Sequence, residues 1–281
     1  MKTKAVLITG CSSGIGLETA DFLKKLGWDV FAGARKPEDV TKLSERGLCA
    51  CRLDLENSGS IKEAFDFVLS KTQGSLYALV NNAGYGLTCA VEDLARDQIR
   101  RQFEVNLFGL QELTNLAIPV FRKQGFGRIV NVSSIVGRVV LPFMGAYCAS
   151  KFALEALSDA LRLELYGTGI HVSIIEPGSI KTRFSANASA NSNKLTAKID
   201  SPHIKAYQSI EQGRKNTNKQ NRKYPAIAVS RKILHALKSK RPRGRYLVGP
   251  DAYAAAIARK ILPEGVMDFI LSQNLKKRGY V

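Results

Sequence analysis

Short apolar runs alternate with stretches of helical spacing along most of this chain, and that alternation restricts the fold more than any other feature. Runs suited to strands occur at 4–9, 28–33, 48–53, 76–81, 127–133, 170–176 and, more briefly, 245–248. Helical spacing covers 14–26, 37–46, 59–73, 97–123 and 146–168, with more helix after 200. Strands separated by helices predict an α/β fold: a doubly wound parallel sheet of about seven strands, covered on both faces. Such sheets bind ligands at the carboxyl ends of their strands. Pro119 lies inside the 97–123 segment and predicts a kink or an interruption there.

The first strand–helix junction is the most informative. Between K-A-V-L-I-T and the helical run beginning near Ile15 stand Gly10, Gly14 and Gly16. Glycine permits a tight turn out of a strand, lets backbone approach a ligand, and lets a helix pack close to a sheet. A helix beginning at such a turn points unpaired N–H groups and a positive dipole end at it, which suits a pyrophosphate. A glycine-rich turn that binds nothing is the plainer alternative.

A second constellation lies farther along. Tyr147 and Lys151 are four residues apart in a helical stretch, so their side chains leave one face. An ammonium beside a phenol favours the phenolate and makes the pair a general acid/base near neutrality. Ser134 ends the apolar run R-I-V-N-V-S-S, where a strand delivers it to a sheet edge. Hydroxyl, phenol and amine together suit proton transfer to and from a carbonyl oxygen. Two unrelated surface residues are the alternative for an isolated Y-x-x-x-K.

Composition agrees with a single domain spanning 1–281. With 281 residues, 45% of them hydrophobic, the chain has material for one large core. No apolar stretch reaches the length of a membrane span. The start, M-K-T-K-A-V-L-I-T-G, is too short for a signal peptide and is needed as the first strand, which predicts a cytoplasmic protein. The odd set Cys11, Cys49, Cys51, Cys89 and Cys148 reads as small buried hydrophobes in a reducing compartment, with no metal site. Cys49 and Cys51, two strand rises or roughly 6.6 Å apart, stand near the limit for a disulfide.

The motifs also share an order. Thr9–Gly16 (T-G-C-S-S-G-I-G), Asn81–Gly84 (N-N-A-G), Asn106, Ser134, Tyr147 with Lys151, and Pro177-Gly178 resemble the short-chain dehydrogenase/reductase family over residues 4 to about 183. The wording R-K-P-E-D-V, A-L-E-A-L-S-D-A-L-R-L-E-L and S-I-I-E-P-G-S-I-K-T-R-F is similar to a bacterial group of NADP-dependent aldehyde reductases, related to retinol and hydroxysteroid dehydrogenases. The resemblance implies a Rossmann-type fold with a nucleotide-binding and catalytic core at 1–183, a variable substrate lid at 184–225 and a C-terminal helical extension at 226–281. It implies that Tyr147 gives a proton to the substrate oxygen, that Ser134 orients that oxygen, and that Lys151 depresses the tyrosine and holds the nicotinamide ribose. Asn106 bends its helix and holds a relay water. Gly10, Ser12, Ser13, Gly14, Ile15 and Gly16 line the dinucleotide, Asp54 and Leu55 meet the adenine, and Asn82, Ala83 and Gly84 shape the adenosine side. Beyond the break at Pro177 and Gly178, Ile180 and Thr182 hold the nicotinamide carboxamide.

Cofactor choice follows from the end of the second strand. Ala34 stands where NAD sites place an acid, and Arg35 and Lys36 follow it. A guanidinium binds a 2′-phosphate that an acid repels, so NADP(H) is expected over NAD(H). Solvated loop charges are the alternative for Arg35 and Lys36, and turn capping for Asp54. The strip R-V-V-L-P-F-M-G-A before Tyr147 and the lid beginning at Phe184 suggest an apolar carbonyl or alcohol substrate.

Charge is concentrated. Residues 181–245 hold seventeen Lys/Arg and two Asp/Glu, net +15 of the chain's +18. A solvated face and a peripheral contact with an anionic membrane both fit. Nucleic acid is not expected, because aromatics are sparse there and no binding motif occurs. The family resemblance brings in a homo-oligomer paired through long helices, with a C-terminal extension after 250 that blocks or replaces those contacts as the alternative. A dinucleotide-binding regulator with little activity is the competing function, although such proteins tend to lose the tyrosine or the lysine.

Overall fold

The computed structural model describes residues 4–184, 186–188, 192, 200–215, 223–277 and 280. Parts of the lid 184–225, of its polar stretch 187–193 and of the basic segment 181–245 therefore lie outside the described residues. The predicted sheet is present, with seven parallel strands in the order β3-β2-β1-β4-β5-β6-β9. These are β1 (Ala5–Ile8), β2 (Asp29–Ala34), β3 (Cys49–Arg52), β4 (Ala78–Asn81), β5 (Gly127–Val132), β6 (Ile170–Pro177) and β9 (Arg245–Val248). A short parallel pair, β7 (Ile180–Lys181) with β8 (Tyr224–Pro225), ties together the two ends of the variable segment. Nothing in the sequence pattern announced it.

The central strands are apolar on both faces because helices cover both. Successive side chains of β1 show the division. Val6 and Ile8 join one core, with Leu23 of α1 (Gly14–Lys25) and Val229 and Ile233 of the helix Ala226–Lys238. Ala5 and Leu7 join the other, with Ile61 and Phe65 of α3 (Ser58–Lys71) and Leu113 and Phe121 of α5 (Gly109–Gln124). Burying each such side chain contributes about 1.5–3 kcal/mol. The strand order reverses between β1 and β4, which places the crevice at their carboxyl ends.

Two expectations need correction. Helix α5 runs through Pro119 without ending. Pro119 and Asn115, whose carbonyl loses its helical donor, lie on the exposed face where solvent takes over that bond. The predicted 97–123 helix is instead broken earlier, by a π turn at Glu104–Phe108 between α4 (Arg96–Phe103) and α5. Gly109 fixes that junction: a Cβ there would stand 2.0 Å from the Leu55 backbone oxygen. Among the cysteines, all of them free, Cys49 is exposed on the edge strand β3 and only the other four are buried.

Candidate active site

The end of β1 and the end of β4 are built as one unit. The Thr9 hydroxyl accepts the N–H groups of Asn82 and Ala83, at 3.0 and 2.9 Å. The Asn82 amide returns two bonds, to the oxygens of Thr9 (2.9 Å) and Gly10 (3.2 Å). Gly10 sits at φ +71°, and a Cβ on it would meet the Ala83 Cα at 2.7 Å. A Cβ on Gly16 would meet the Gly10 oxygen at 2.3 Å. These glycines thus serve packing between turns as well as any ligand.

What the turn offers a ligand is the start of α1. Ser13 occupies the N-cap without a side-chain capping bond, Ser12 is exposed, and no acid stands in the first turn. The leading N–H groups of Gly14, Ile15 and Gly16 and the dipole's positive end therefore favour an anion. Gly14, at φ +62°, faces Thr182, whose Cβ would lie 3.2 Å from an added methyl. The glycine turn and the segment after β6 thus form opposite walls of one crevice, a donor set that fits a dinucleotide pyrophosphate. Arg35 is exposed just past the buried Ala34, and its charge reaches Tyr85. Asp54 accepts from Glu56 N–H at 3.1 Å and so caps the turn into α3, while Leu55 is buried against Gly109.

Tyr147 and Lys151 lie buried on α6 (Gly145–Glu164), and Ser134 lies just past β5. Ser134 is the hydrogen-bond partner of the Tyr147 phenol. Its hydroxyl also donates weakly to the Pro177 oxygen at 3.4 Å and accepts from Val136 N–H at 3.3 Å. Burial is the largest influence on Tyr147 and pushes its phenol well up, while Ser134 draws it back. The depression expected from Lys151 is not found: the one influence drawing the phenol down is Ser134. Lys151 Nζ stands 6.0 Å from the Tyr147 ring centroid and donates to the Val132 oxygen at 2.9 Å. Burial pushes this ammonium down to about 8, against an upward pull from Glu155.

Asn106 sits in the π turn and is fully buried. Its Oδ1 accepts Tyr85 N–H at 3.1 Å, and its Nδ2 donates to Tyr85 O and Ser150 Oγ, both at 3.0 Å. A Cβ on Gly84 would lie 3.1 Å from Asn106 Oδ1 and 3.7 Å from Lys151 Nζ, so the three meet in one corner. Ile180 is buried in the core, while Thr182 Oγ1 accepts Phe184 N–H at 3.2 Å.

Several contributors around the site, Phe184 excepted, carry no local sequence signal. Asp251 comes from the far end of the chain to accept Ser179 N–H at 2.6 Å, filling the space where a Gly178 Cβ would stand. Phe184, the first lid residue, lays its ring 5.4 Å from that of Tyr147. Met267, in the helix Glu264–Lys277, packs on the same cluster as Tyr147, Ile135 and Val136. Over residues 88–93 the helix Ile204–Lys215 is pinned by Tyr207, whose hydroxyl donates to Asp93 and accepts Ala90 N–H at 3.0 Å. The walls around Tyr147 are thus largely apolar.

Comparison with known proteins places this geometry. Residues 4–193 match the family model described as short chain dehydrogenase. The chain is 42% identical over 268 residues to an Escherichia coli protein named "Uncharacterized oxidoreductase YbbO", covering 95% of this chain and 94% of that one. It is 34% identical to the 3-ketodihydrosphingosine reductase of Bacteroides thetaiotaomicron, covering 96% and 97%. A crystal structure of a short-chain dehydrogenase from Streptomyces avermitilis superposes with a TM-score of 0.76 at 28% identity, covering 98% and 95%.

Proposed function

We propose that this chain, which belongs to the short-chain dehydrogenase family, is an NADP(H)-dependent reductase of apolar aldehydes or ketones. The observation that carries the reading is the meeting of Tyr147 with Ser134 and of Lys151 with Asn106 and Gly84, beside the uncapped start of α1. When bound, the nicotinamide supplies the hydride; the protein supplies position and charge. Ser134 holds the carbonyl oxygen, and Tyr147 O–H donates to it the proton that makes the alcohol. Lys151 holds positive charge near the phenol as it loses that proton, and Asn106 keeps the lysine's surroundings fixed. Arg35 serves the 2′-phosphate and accounts for the preference for NADP(H) over NAD(H). Phe184, Met267 and the neighbouring apolar walls favour an apolar substrate and exclude water from the proton-transfer step.

The test is a screen of NADPH oxidation against aliphatic aldehydes, retinal, steroid ketones and long-chain ketones. Turnover with apolar carbonyls and little with sugars or charged acids supports the reading. No turnover with any carbonyl contradicts it and favours the regulator.

A second reading concerns where the enzyme works. Among the described residues no helix is long and apolar enough to cross a membrane. Yet Tyr253, Ile257 and Ile261 recur every four residues along the helix Pro250–Ile261 and are exposed, as is Phe269. With a net charge of +18, this apolar stripe favours peripheral contact with an anionic bilayer. Sedimentation with anionic vesicles at low salt supports it; a protein left wholly in the supernatant contradicts it.

A further inference from the structure

Charged side chains from four parts of the fold meet behind the catalytic residues. Arg245 on β9 places its Nε 3.2 Å from Glu155 Oε2 and 3.2 Å from Glu176 Oε1. Arg138, in the loop after Ser134, donates to Glu176 Oε1 at 2.7 Å. Arg245 also pairs with Asp159, which accepts from Arg162 at 3.1 Å. Glu155 and Glu176 are both buried. The Arg245 Nε–H therefore bonds to Glu155 while its charge stands within ion-pair distance of Glu176, a carboxylate from a different element. The remaining oxygens, Glu155 Oε1 and Glu176 Oε2, are also buried and lack a hydrogen bond of normal geometry among the described residues, although the Ser133 hydroxyl stands beside Glu155 and eases its charge. Two charged carboxylates leave such oxygens uncompensated, which is costly in an interior. One proton removes a negative charge and turns an orphaned acceptor into a donor.

We propose that Glu155 holds a proton where it faces Glu176, and that in this state the two act as positioning residues locking the catalytic helix to the strand end beside Ser134. Lys151 and Ser134 are both tied closely to the pair. Glu155 stands one helical turn beyond Lys151, and Glu176 precedes Pro177, whose oxygen receives the Ser134 hydroxyl. Gly137, in the turn following Ser134, has no room for a side chain: a Cβ would stand 3.0 Å from Glu155 Cγ and 3.2 Å from Lys151 O. A shift of the pair therefore moves Ser134 against Tyr147 without touching a reacting atom.

The groups facing Glu155 are Lys151, Asp159 and Arg162 on its own helix, Arg138 after β5, Glu176 on β6 and Arg245 on β9. Burial first, then the charge of Glu176, pushes the Glu155 carboxyl up to about 7, against the Ser133 hydroxyl and the pull of Arg245 and Arg138. A carboxyl raised on folding stabilises the fold most below its unfolded value of 4.5, and that contribution is lost as pH rises through about 7.

The test compares Glu155→Gln and Glu155→Ala with the wild type. Its turnover arm rests on the reductase reading, and its stability arm does not. Urea unfolding of the cofactor-free proteins between pH 5 and 9 is expected to show wild-type stability declining toward neutrality, with Glu155→Gln changing less. Parallel curves for the two overturn the proton on Glu155. In NADPH-dependent reduction at pH 7, Glu155→Ala is expected to lose about tenfold or more in kcat with little change in KM, and Glu155→Gln to restore most of it. Equal kcat losses in both variants overturn the positioning role. A wild type inactive on every carbonyl sinks the reductase reading and the positioning role with it, while the stability curves still decide the proton on Glu155.

Discussion

Lys151 ends in the protein interior with its Nζ 2.9 Å from the backbone oxygen of Val132, and among the described residues no carboxylate stands within ion-pair distance of it. Burial has pushed this ammonium from 10.5 down to about 8. Between those values the unfolded chain binds more proton, so this residue's contribution to stability rises with pH and is lost as pH falls through about 8. Lys151→Met is therefore expected to stabilise the cofactor-free protein at pH 7, by on the order of 1–3 kcal/mol. The gain should shrink toward pH 10. Urea unfolding at both pH values checks this, and an equal gain at both contradicts it.

Asn106 closes the backbone of Tyr85 from both ends. The Tyr85 oxygen keeps a second donor, Gln102 Nε2 at 2.7 Å, but among the described residues its N–H has only Asn106. Asn106→Ala should leave that N–H unpaired and cost about 1–3 kcal/mol. Loss of hydrogen-exchange protection at Tyr85, measured beside global unfolding, is the specific sign; unchanged protection there contradicts the assignment.

Gly16 has no room for a methyl, with Gly10 O at 2.3 Å and Asn82 Nδ2 at 2.5 Å from the Cβ position. Gly16→Ala is expected to destabilise by about 1–3 kcal/mol. Because the same shift opens the turn at the start of α1, NADPH affinity should fall by about tenfold or more. Fluorescence titration of NADPH alongside thermal unfolding separates the two effects.

Arg35→Ala should weaken NADPH binding by about tenfold or more and leave NADH within about twofold. An equal loss for both cofactors, measured by the same titration, assigns Arg35 to the solvated loop surface.

The local parts of this design were legible in the residues. Strand runs and helical spacing located the sheet, because each core face is written at a period of two or of 3.6. Gly10, Gly14 and Gly16 were readable because strand, turn and helix are contiguous. Pro119 does not interrupt its helix, because it occupies the exposed face, which tolerates it. The π turn at Asn106 left no mark in spacing, since one extra residue disturbs the period too little to see. Asp251 at Ser179 N–H, Arg245 at Glu155 and Met267 near Tyr147 are contacts between distant segments. Such contacts follow from how the sheet is closed, which no window of sequence contains.

The central claim is that the Tyr147 hydroxyl delivers the proton. It is tested most directly by single-turnover NADPH oxidation with Tyr147→Phe, on a carbonyl the wild type reduces. Loss of about a hundredfold or more in rate, with NADPH affinity unchanged, is the predicted result. A variant that reduces the carbonyl at the wild-type rate contradicts the claim.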